Sequence, residues 1–217
     1  MEKSRYPITD KTLCEIADKI SKPVKKKSCV SVVFEHEFGG ASTIIRILLD
    51  EKDRFQFFAD PNFKTCYIEA TDLLEPSLLS FFYKILSACS KSAAEKFAYE
   101  DISLNELIKI LKKEIQKICT KKTLVIFFTR LQNYHEFNKK YGNLLYLLRD
   151  SVSVKSKLFY VFTFYDMLEE TFDDFLKRQD LLKSSLTDSV VRINPLGKND
   201  ILHSIEFWEK YWGYQLF

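Results

Sequence analysis

The chain has 217 residues, of which 46% are hydrophobic and 15% aromatic, with five glycines and five prolines. This composition predicts one compact domain with a sizeable core, and it excludes collagen-like, linker-rich and disordered chains. The 33 basic and 30 acidic residues leave a net charge of +3, which is too small to indicate a nucleic-acid or anionic-membrane surface by itself.

The first predicted elements are a helix and a strand. Thr9 and Asp10 can cap an amphipathic helix, which we expect to end near Lys22 because Pro23 and three following lysines mark a solvated break. The apolar run at residues 29–34 predicts the first strand, and a helical run follows at residues 43–49.

The loop between that strand and that helix is the most informative stretch of the chain. Compared with the phosphate-binding pattern G-x-x-x-x-G-K-[ST], Gly40 and Ser42 match, but Glu35 replaces the first glycine and Ala41 replaces the lysine. Glu35 and Glu37 would each repel a phosphate by roughly 1–4 kcal/mol at contact distance. The alternative is an ordinary strand-to-helix turn whose glycines serve its dihedral angles.

The middle of the chain alternates strands with helices. We expect a second strand at residues 63–70, then a helix that Pro76 and Ser77 open and that ends near Ala88, and an irregular excursion at residues 90–102.

A long helix and a central strand come next. Ser103 and Glu106 form a predicted capping box that opens a helix reaching Cys119. The uninterrupted apolar run at residues 123–128 is typical of a parallel strand that is covered on both faces.

The last predicted elements complete the alternation. They are a helix to about Asp150, strands at residues 157–163 and 189–193, a helical stretch at 167–183 and a final helix at 199–212. Five strands alternating with helices predict a three-layer α/β fold, with a mainly parallel sheet and helices on both faces. Ligands of such folds bind at the carboxyl ends of the strands.

Cysteine and histidine placement predicts neither a disulfide framework nor a metal site. The five cysteines have no C-x-x-C spacing and an odd total, and the three histidines form no ligand set. The sequence shows no apolar signal core and no apolar run of about 18 residues, the length that spans a membrane. We therefore expect a cytoplasmic protein with no metal and no membrane partner.

The order of these segments resembles the P-loop ATPases of the AAA+ and STAND type, especially prokaryotic ATPase domains related to origin-recognition proteins. The resemblance runs from about Cys29 to Tyr214. The strand-loop-helix at residues 29–49 resembles the Walker A element, the run ending in Thr129 and Arg130 the Walker B strand, and the strand ending in Thr163 the sensor-1 strand. The turn at 194–196 and the helix after it look like the entry to the family's helical lid.

This resemblance implies a degenerate nucleotide site. Where the family has an aspartate and a glutamate after the Walker B strand, this chain has Thr129 and Arg130. Joint loss of the phosphate cation, the metal ligand and the water activator predicts no catalytic residue and no hydrolysis. No cofactor is expected, and ATP with Mg²⁺ is expected only if the degenerate loop still binds. The residues assigned to this site are Glu35, Gly39, Gly40, Ala41, Ser42, Thr43, Thr129, Arg130 and Thr163.

The aromatic residues of the final helix have two interpretations. Trp208, Tyr211 and Trp212 share a helical face, so they either pack back on the core or form a surface for a protein partner. The family's lid has further helices, and the sequence reaches only the first of them, so we expect a truncated lid. The expected divisions are an N-terminal helix and lysine-rich turn (1–28), a P-loop NTPase-like α/β core (29–194) and the start of the lid (195–217).

Two functional hypotheses remain open. The preferred one is a pseudo-ATPase that acts as a scaffold or regulatory protein beside a protein partner, such as an active ATPase paralogue. The alternative is an ATP-binding AAA+/STAND-type protein with an atypical P-loop; an enzymatic activity would then be that of an ATPase.

The lysines leave nucleic-acid binding undecided. Lys109, Lys112, Lys113 and Lys117 repeat at helical spacing and are predicted to form the solvated face of the long helix. We interpret Lys64, Lys121 and Lys122 as solvated residues at strand starts, at the opposite end of the sheet from the loop.

Overall fold

The computed structural model describes residues 6–35, 41–50, 62–69, 77–97, 102–129, 145, 148–149, 157–166, 171–177 and 188–212. The strands are β1 (Val30–Phe34), β2 (Phe63–Glu69), β3 (Thr123–Thr129), β4 (Leu158–Tyr165) and β5 (Val190–Ile193). The helices are α1 (Asp10–Lys25), α2 (Ala41–Leu49), α3 (Leu78–Cys89), α4 (Lys91–Ala94), α5 (Leu104–Lys121), α6 (Phe172–Lys177) and α7 (Lys198–Trp212).

The five strands form one parallel sheet in the order β2-β3-β4-β1-β5. Every residue of β1 is buried, and so is nearly every residue of β3 and β4, because helices cover both faces. The chain leaves β1 for the far edge of the sheet and later returns to β5 on the other side of β1. The predicted three-layer α/β fold with a parallel sheet is therefore confirmed.

Alternation along the strands divides the core into two layers. Phe128 and Phe162 point toward α3 and α5, and their rings stack at 5.5 Å between centroids. Phe127 and Val161 point the other way, toward α1 and α2. The two layers share only the sheet between them, as the period-2 geometry of a strand requires.

The end of α1 corrects the sequence prediction. The helix does not end at Lys22 but continues to Lys25, with Pro23 inside its last turn. Proline there removes one backbone donor, yet the turn closes because the amides of Lys26 and Ser28 donate to Lys22 O at 3.2 Å and to Pro23 O at 3.1 Å. Burial of Val24 holds this turn against the sheet.

Helix starts follow the predicted capping residues. Ser77 accepts from the backbone N–H of Ser80 at the start of α3, and Ser103 and Glu106 form the predicted capping box at the start of α5. The excursion predicted after α3 contains the short helix α4. No helix among the described ranges is long and apolar enough to cross a membrane.

Candidate functional site

The carboxyl end of β1 leads into the loop that resembles a phosphate-binding loop. The backbone N–H of Glu35 donates to Ile193 O at 3.0 Å, and Phe34 O accepts from the N–H of Asp166 at 2.9 Å. These bonds fix the point at which the chain leaves the sheet. Residues 36–40, which include Gly39 and Gly40, lie outside the described residues.

Helix α2 begins at Ala41, the position that corresponds to the lysine of the phosphate-binding pattern. Ala41 and Ser42 form the first turn together with Thr43, which is exposed. No acidic residue lies in that turn. The predicted order of strand, loop and helix is present, and the positive end of the helix dipole faces the loop.

Thr129, the last residue of β3, lies beside Thr163, which is two residues before the end of the neighbouring strand β4. The register pairs Phe128 with Phe162, so the next residue of each strand is a threonine on the face that carries α2. Adjacent strands are about 4.8 Å apart. Both threonines are fully buried. The structure thus brings together two of the predicted site residues, while Arg130 lies outside the described residues.

The hydroxyl of Thr129 has no hydrogen-bond partner among the described residues, and its Oγ1 is inaccessible to solvent. A buried hydroxyl left unsatisfied costs about 1–3 kcal/mol. The Thr129 hydroxyl is therefore enclosed by protein atoms.

Asp166 follows β4 directly and was not identified by sequence reasoning. Its Oδ1 accepts from the N–H of Phe172 at 2.7 Å, and its Oδ2 lies 3.3 Å from Nη1 of Arg192. Arg192 also approaches Asp173 at 3.6 Å. The carboxylate is therefore already held by a cation and by the backbone ahead of α6. An acid directly after a buried parallel strand was the available signal.

Aromatic rings fill the space beside these strand ends. Phe34 and Tyr165 stack with centroids 5.6 Å apart. On the opposite face, Phe164 packs against Phe172 at 5.4 Å and Phe175 at 5.1 Å. Apolar bulk therefore surrounds the ends of β1 and β4.

The described residues include no group of three or more His, Cys, Asp and Glu side chains that could hold a metal ion. His203 instead hydrogen bonds Tyr6 O at 3.0 Å. All five cysteines are free thiols, of which only Cys14 is exposed.

The aromatic residues of α7 contact one another. Phe207, Trp208 and Tyr211 have ring centroids 5.3–6.2 Å apart. Trp208 is 36% exposed and Tyr211 is 69% exposed, so these two residues do not pack back on the core. Only the backbone of Trp212 is described.

Comparison with known proteins identifies the fold. No protein-family model matches the chain, and no curated protein matches it in sequence. Among solved structures, the Aeropyrum pernix ORC2 protein, determined as ADPNP-ADP complexes, is 12% identical with a TM-score of 0.59. The match covers 93% of this chain and 50% of that protein. The chain has the fold of an ORC/Cdc6-type AAA+ ATPase domain.

Two further structures agree with this result. The A. pernix ORC1 protein in complex with DNA is 15% identical with a TM-score of 0.61, and the match covers 92% of this chain and 49% of ORC1. Drosophila ORC bound to GC-rich DNA and Cdc6 is 9% identical with a TM-score of 0.57, with coverages of 92% and 30%. The chain spans about half the length of the archaeal proteins. At these identities the likeness establishes the fold and not the activity.

Proposed function

We propose that this P-loop NTPase-like domain is a pseudo-ATPase that acts as a non-catalytic scaffold or regulatory protein. The observation that carries this proposal is the complete burial of Thr129 at the end of β3. A threonine there supplies no negative charge for Mg²⁺, and a hydroxyl enclosed by packing cannot contact the water molecules of a hydrated metal.

The remaining groups at this edge of the sheet do not replace the missing chemistry. Asp166 is neutralised by Arg192 and bonded to the backbone of Phe172, so it is not free to coordinate a metal or activate water. The loop sequence adds Glu35 and Glu37 and lacks the lysine that holds the terminal phosphates. Charge at the site therefore opposes a triphosphate, and among the residues that the structure describes at this edge none is placed as a free acid, base or metal ligand for phosphoryl transfer.

The alternative is an ATP-binding protein with an atypical P-loop, and two observations favour it. Helix α2 begins at Ala41, directly after the loop, and its N-terminal amides suit an anion. Thr129 Oγ1 also lacks a partner among the described residues, which a ligand or a bridging water would satisfy.

Isothermal titration calorimetry with ATP and ADP, with and without Mg²⁺, distinguishes the two functions. We expect no binding heat up to millimolar nucleotide in a folded sample. Micromolar affinity that strengthens with Mg²⁺ would overturn the pseudo-ATPase proposal.

A second experiment asks whether restoring the loop residues creates ATP binding. Ala41→Lys combined with Glu35→Gly restores both residues that the pattern lacks, so we expect it to bind ATP measurably. Ser92→Lys on α4, combined with Glu95→Gly directly after that helix, makes the same change in net charge outside the loop and serves as the matched control. Equal ATP binding by both variants would show that net charge, and not the loop, attracts the nucleotide.

The proposal includes a protein partner, which we assign to the class of active ATPases with the same fold. We assign the contact surface on this chain to Trp208 and Tyr211, which are exposed, together with their neighbour Trp212, because exposed tryptophan and tyrosine are favoured in interface hot spots. One of the similar structures is Drosophila ORC bound to GC-rich DNA and Cdc6, and we propose an assembly with protein partners for this chain as well. We place the protein in the cytoplasm, since five free thiols suit a reducing compartment.

A further inference from the structure

A groove of about 590 Å³ opens at the amino edge of the sheet, at the opposite end from the loop described above. It lies between the start of β2, the last turns of α5 and the segment that enters β3. The carbonyl of Asn62, just before β2, accepts from the N–H of Thr123 at 2.8 Å, so the two strand starts are joined beneath it. The groove is lined by five lysines: Lys64, Lys113, Lys117, Lys121 and Lys122.

The positive charge of these lysines is largely uncompensated. Within the described part of the chain, only Lys117 of the five makes an ion pair, with Glu114 at 2.5 Å. Lys64 Nζ donates to the carbonyl of Cys89 at 2.6 Å, which orients its ammonium group without neutralising it. A sixth lysine reaches the rim, because Lys157 Nζ lies 3.5 Å from the carbonyl of Thr120, a residue that lines the groove. Five lysine residues therefore line the groove and a sixth lies at its rim, and among the described carboxylates only Glu114 pairs with one of them.

Glu114 is the carboxylate that pairs with this lysine cluster. Its pKa lies below the ordinary value of a glutamate, first because Lys117 hydrogen bonds to it and further because of the charges of Lys117 and Lys113. A cleft lined by charges of one sign focuses its field on the space inside it.

Helix capping explains only part of this cluster. Cations near a helix C-terminus interact favourably with the helix dipole, which accounts for Lys117 and Lys121 at the end of α5. Lys64 lies on β2, Lys122 lies between α5 and β3, and Lys157 precedes β4, so that explanation does not extend to them. Lysines from four parts of the sequence reach the same groove because the strands are parallel and all begin at this edge.

We propose that this groove binds a small anion that carries several linked phosphate groups. Its volume falls in the range of about 300–1,000 Å³ that is typical of small-molecule pockets. The cationic lining is lysine, whose ammonium groups act as point charges toward phosphate oxygens. Four of the five lining lysines make no ion pair within the described part of the chain, and several linked phosphates could balance them where one phosphate could not.

Calorimetric titration of the full chain with inorganic tripolyphosphate at low ionic strength tests this site. We expect binding that weakens as salt is added. Lys121→Gln combined with Lys122→Gln removes two exposed ammonium groups and is expected to weaken binding about tenfold or more. The matched control, Lys11→Gln combined with Lys109→Gln, makes the same charge change at exposed positions that do not line the groove, and should keep its affinity within about twofold.

The proposal would be overturned if the unchanged protein did not bind tripolyphosphate, or if both double variants weakened binding equally. Unchanged binding by the groove variant would also overturn it, because the phosphate would then bind elsewhere. A competing titration with duplex DNA distinguishes a second source of phosphate. If DNA binds more tightly through the same lysines and displaces tripolyphosphate, the groove serves a nucleic-acid backbone and not a small anion. If the first groove variant does not fold, Lys113→Gln combined with Lys117→Gln is measured in its place with the same expectation.

Discussion

Thr129 shows how a single residue separates the fold of this protein from the chemistry associated with it. The sequence predicts that Thr129 and Thr163 end two central strands; Thr129 does end β3, whereas β4 continues two residues past Thr163 to Tyr165. Reasoning from strand patterns could not foresee that Thr129 would be enclosed without a partner among the described residues. Burial of a side chain is decided by every element that packs around it, and the local pattern reports only its own strand.

Replacing Thr129 with valine tests whether the hydroxyl is used. Valine has nearly the same shape and no polar atom, so Thr129→Val should raise the free energy of unfolding by about 1 kcal/mol. Urea denaturation of both proteins measures this. Thr163→Val is the comparison at the neighbouring position, where the hydroxyl has an interaction in the structure, and should not stabilise. A loss of stability in Thr129→Val would mean that its hydroxyl bonds a group such as a buried water.

At the scale of elements, α7 is anchored to the N-terminal part of the chain. Asp200 is 8% exposed and accepts hydrogen bonds from Thr9 Oγ1 at 2.6 Å and Thr12 Oγ1 at 2.9 Å. It thereby supplies a negative charge at the start of α1, where the helix dipole favours one. Both helices were predicted, but their contact was not, because it joins residues 191 and 188 positions apart.

Asp200→Ala should lower the free energy of unfolding by about 1–3 kcal/mol, since three donors of α1 and its cap lose a charged acceptor. Thermal and urea denaturation measure the change. Glu206→Ala removes an exposed acid from the same helix and should stay within about 0.5 kcal/mol of the unchanged protein. Equal effects of the two substitutions would show that Asp200 does not hold α7 to α1.

The whole molecule is organised by its parallel sheet, which separates two chemically different edges. At the carboxyl edge, aromatic rings and an internal ion pair surround the strand ends. At the amino edge, lysines from several elements converge on one groove. Between the edges, stacked phenylalanines such as Phe128 and Phe162 form the core on the side of α3 and α5.

Removing one ring from this core should affect the entire fold. Phe162→Ala is expected to lower the free energy of unfolding by about 3–5 kcal/mol, because it leaves a cavity beside the rings of Phe128 and Tyr160. Tyr211→Ser removes a ring from the exposed face of α7, and a change within about 0.5 kcal/mol is expected there. Chemical denaturation of the two variants gives the comparison. A large loss in Tyr211→Ser would assign that face to the core and not to a partner.

The sequence by itself determined most of the described elements and roughly where they begin and end, although α4 was not predicted and the helix expected to reach about Asp150 falls largely outside the described residues. Apolar periodicity identified all five strands, and the capping box located the start of α5, since both signals act over a few residues. The predicted end of α1 at Lys22 was wrong because proline lacks a backbone N–H donor and is expected to end a helix. The sequence pattern does not show that burial of Val24 stabilises the last turn of α1. The same local information identified a loop that resembles a phosphate-binding loop and lacks its lysine.

Only the tertiary structure decided how these elements meet. The strand order, the Asp166–Arg192 pair and the contact of Asp200 with α1 join residues that are distant along the chain. The lysines at the amino edge had been interpreted individually as solvated residues, and their convergence became visible only when parallel strands brought their starting points together. The spacing of apolar residues along the sequence shows which face of a helix or strand is buried. Which elements contact one another depends instead on packing energies summed over the whole core.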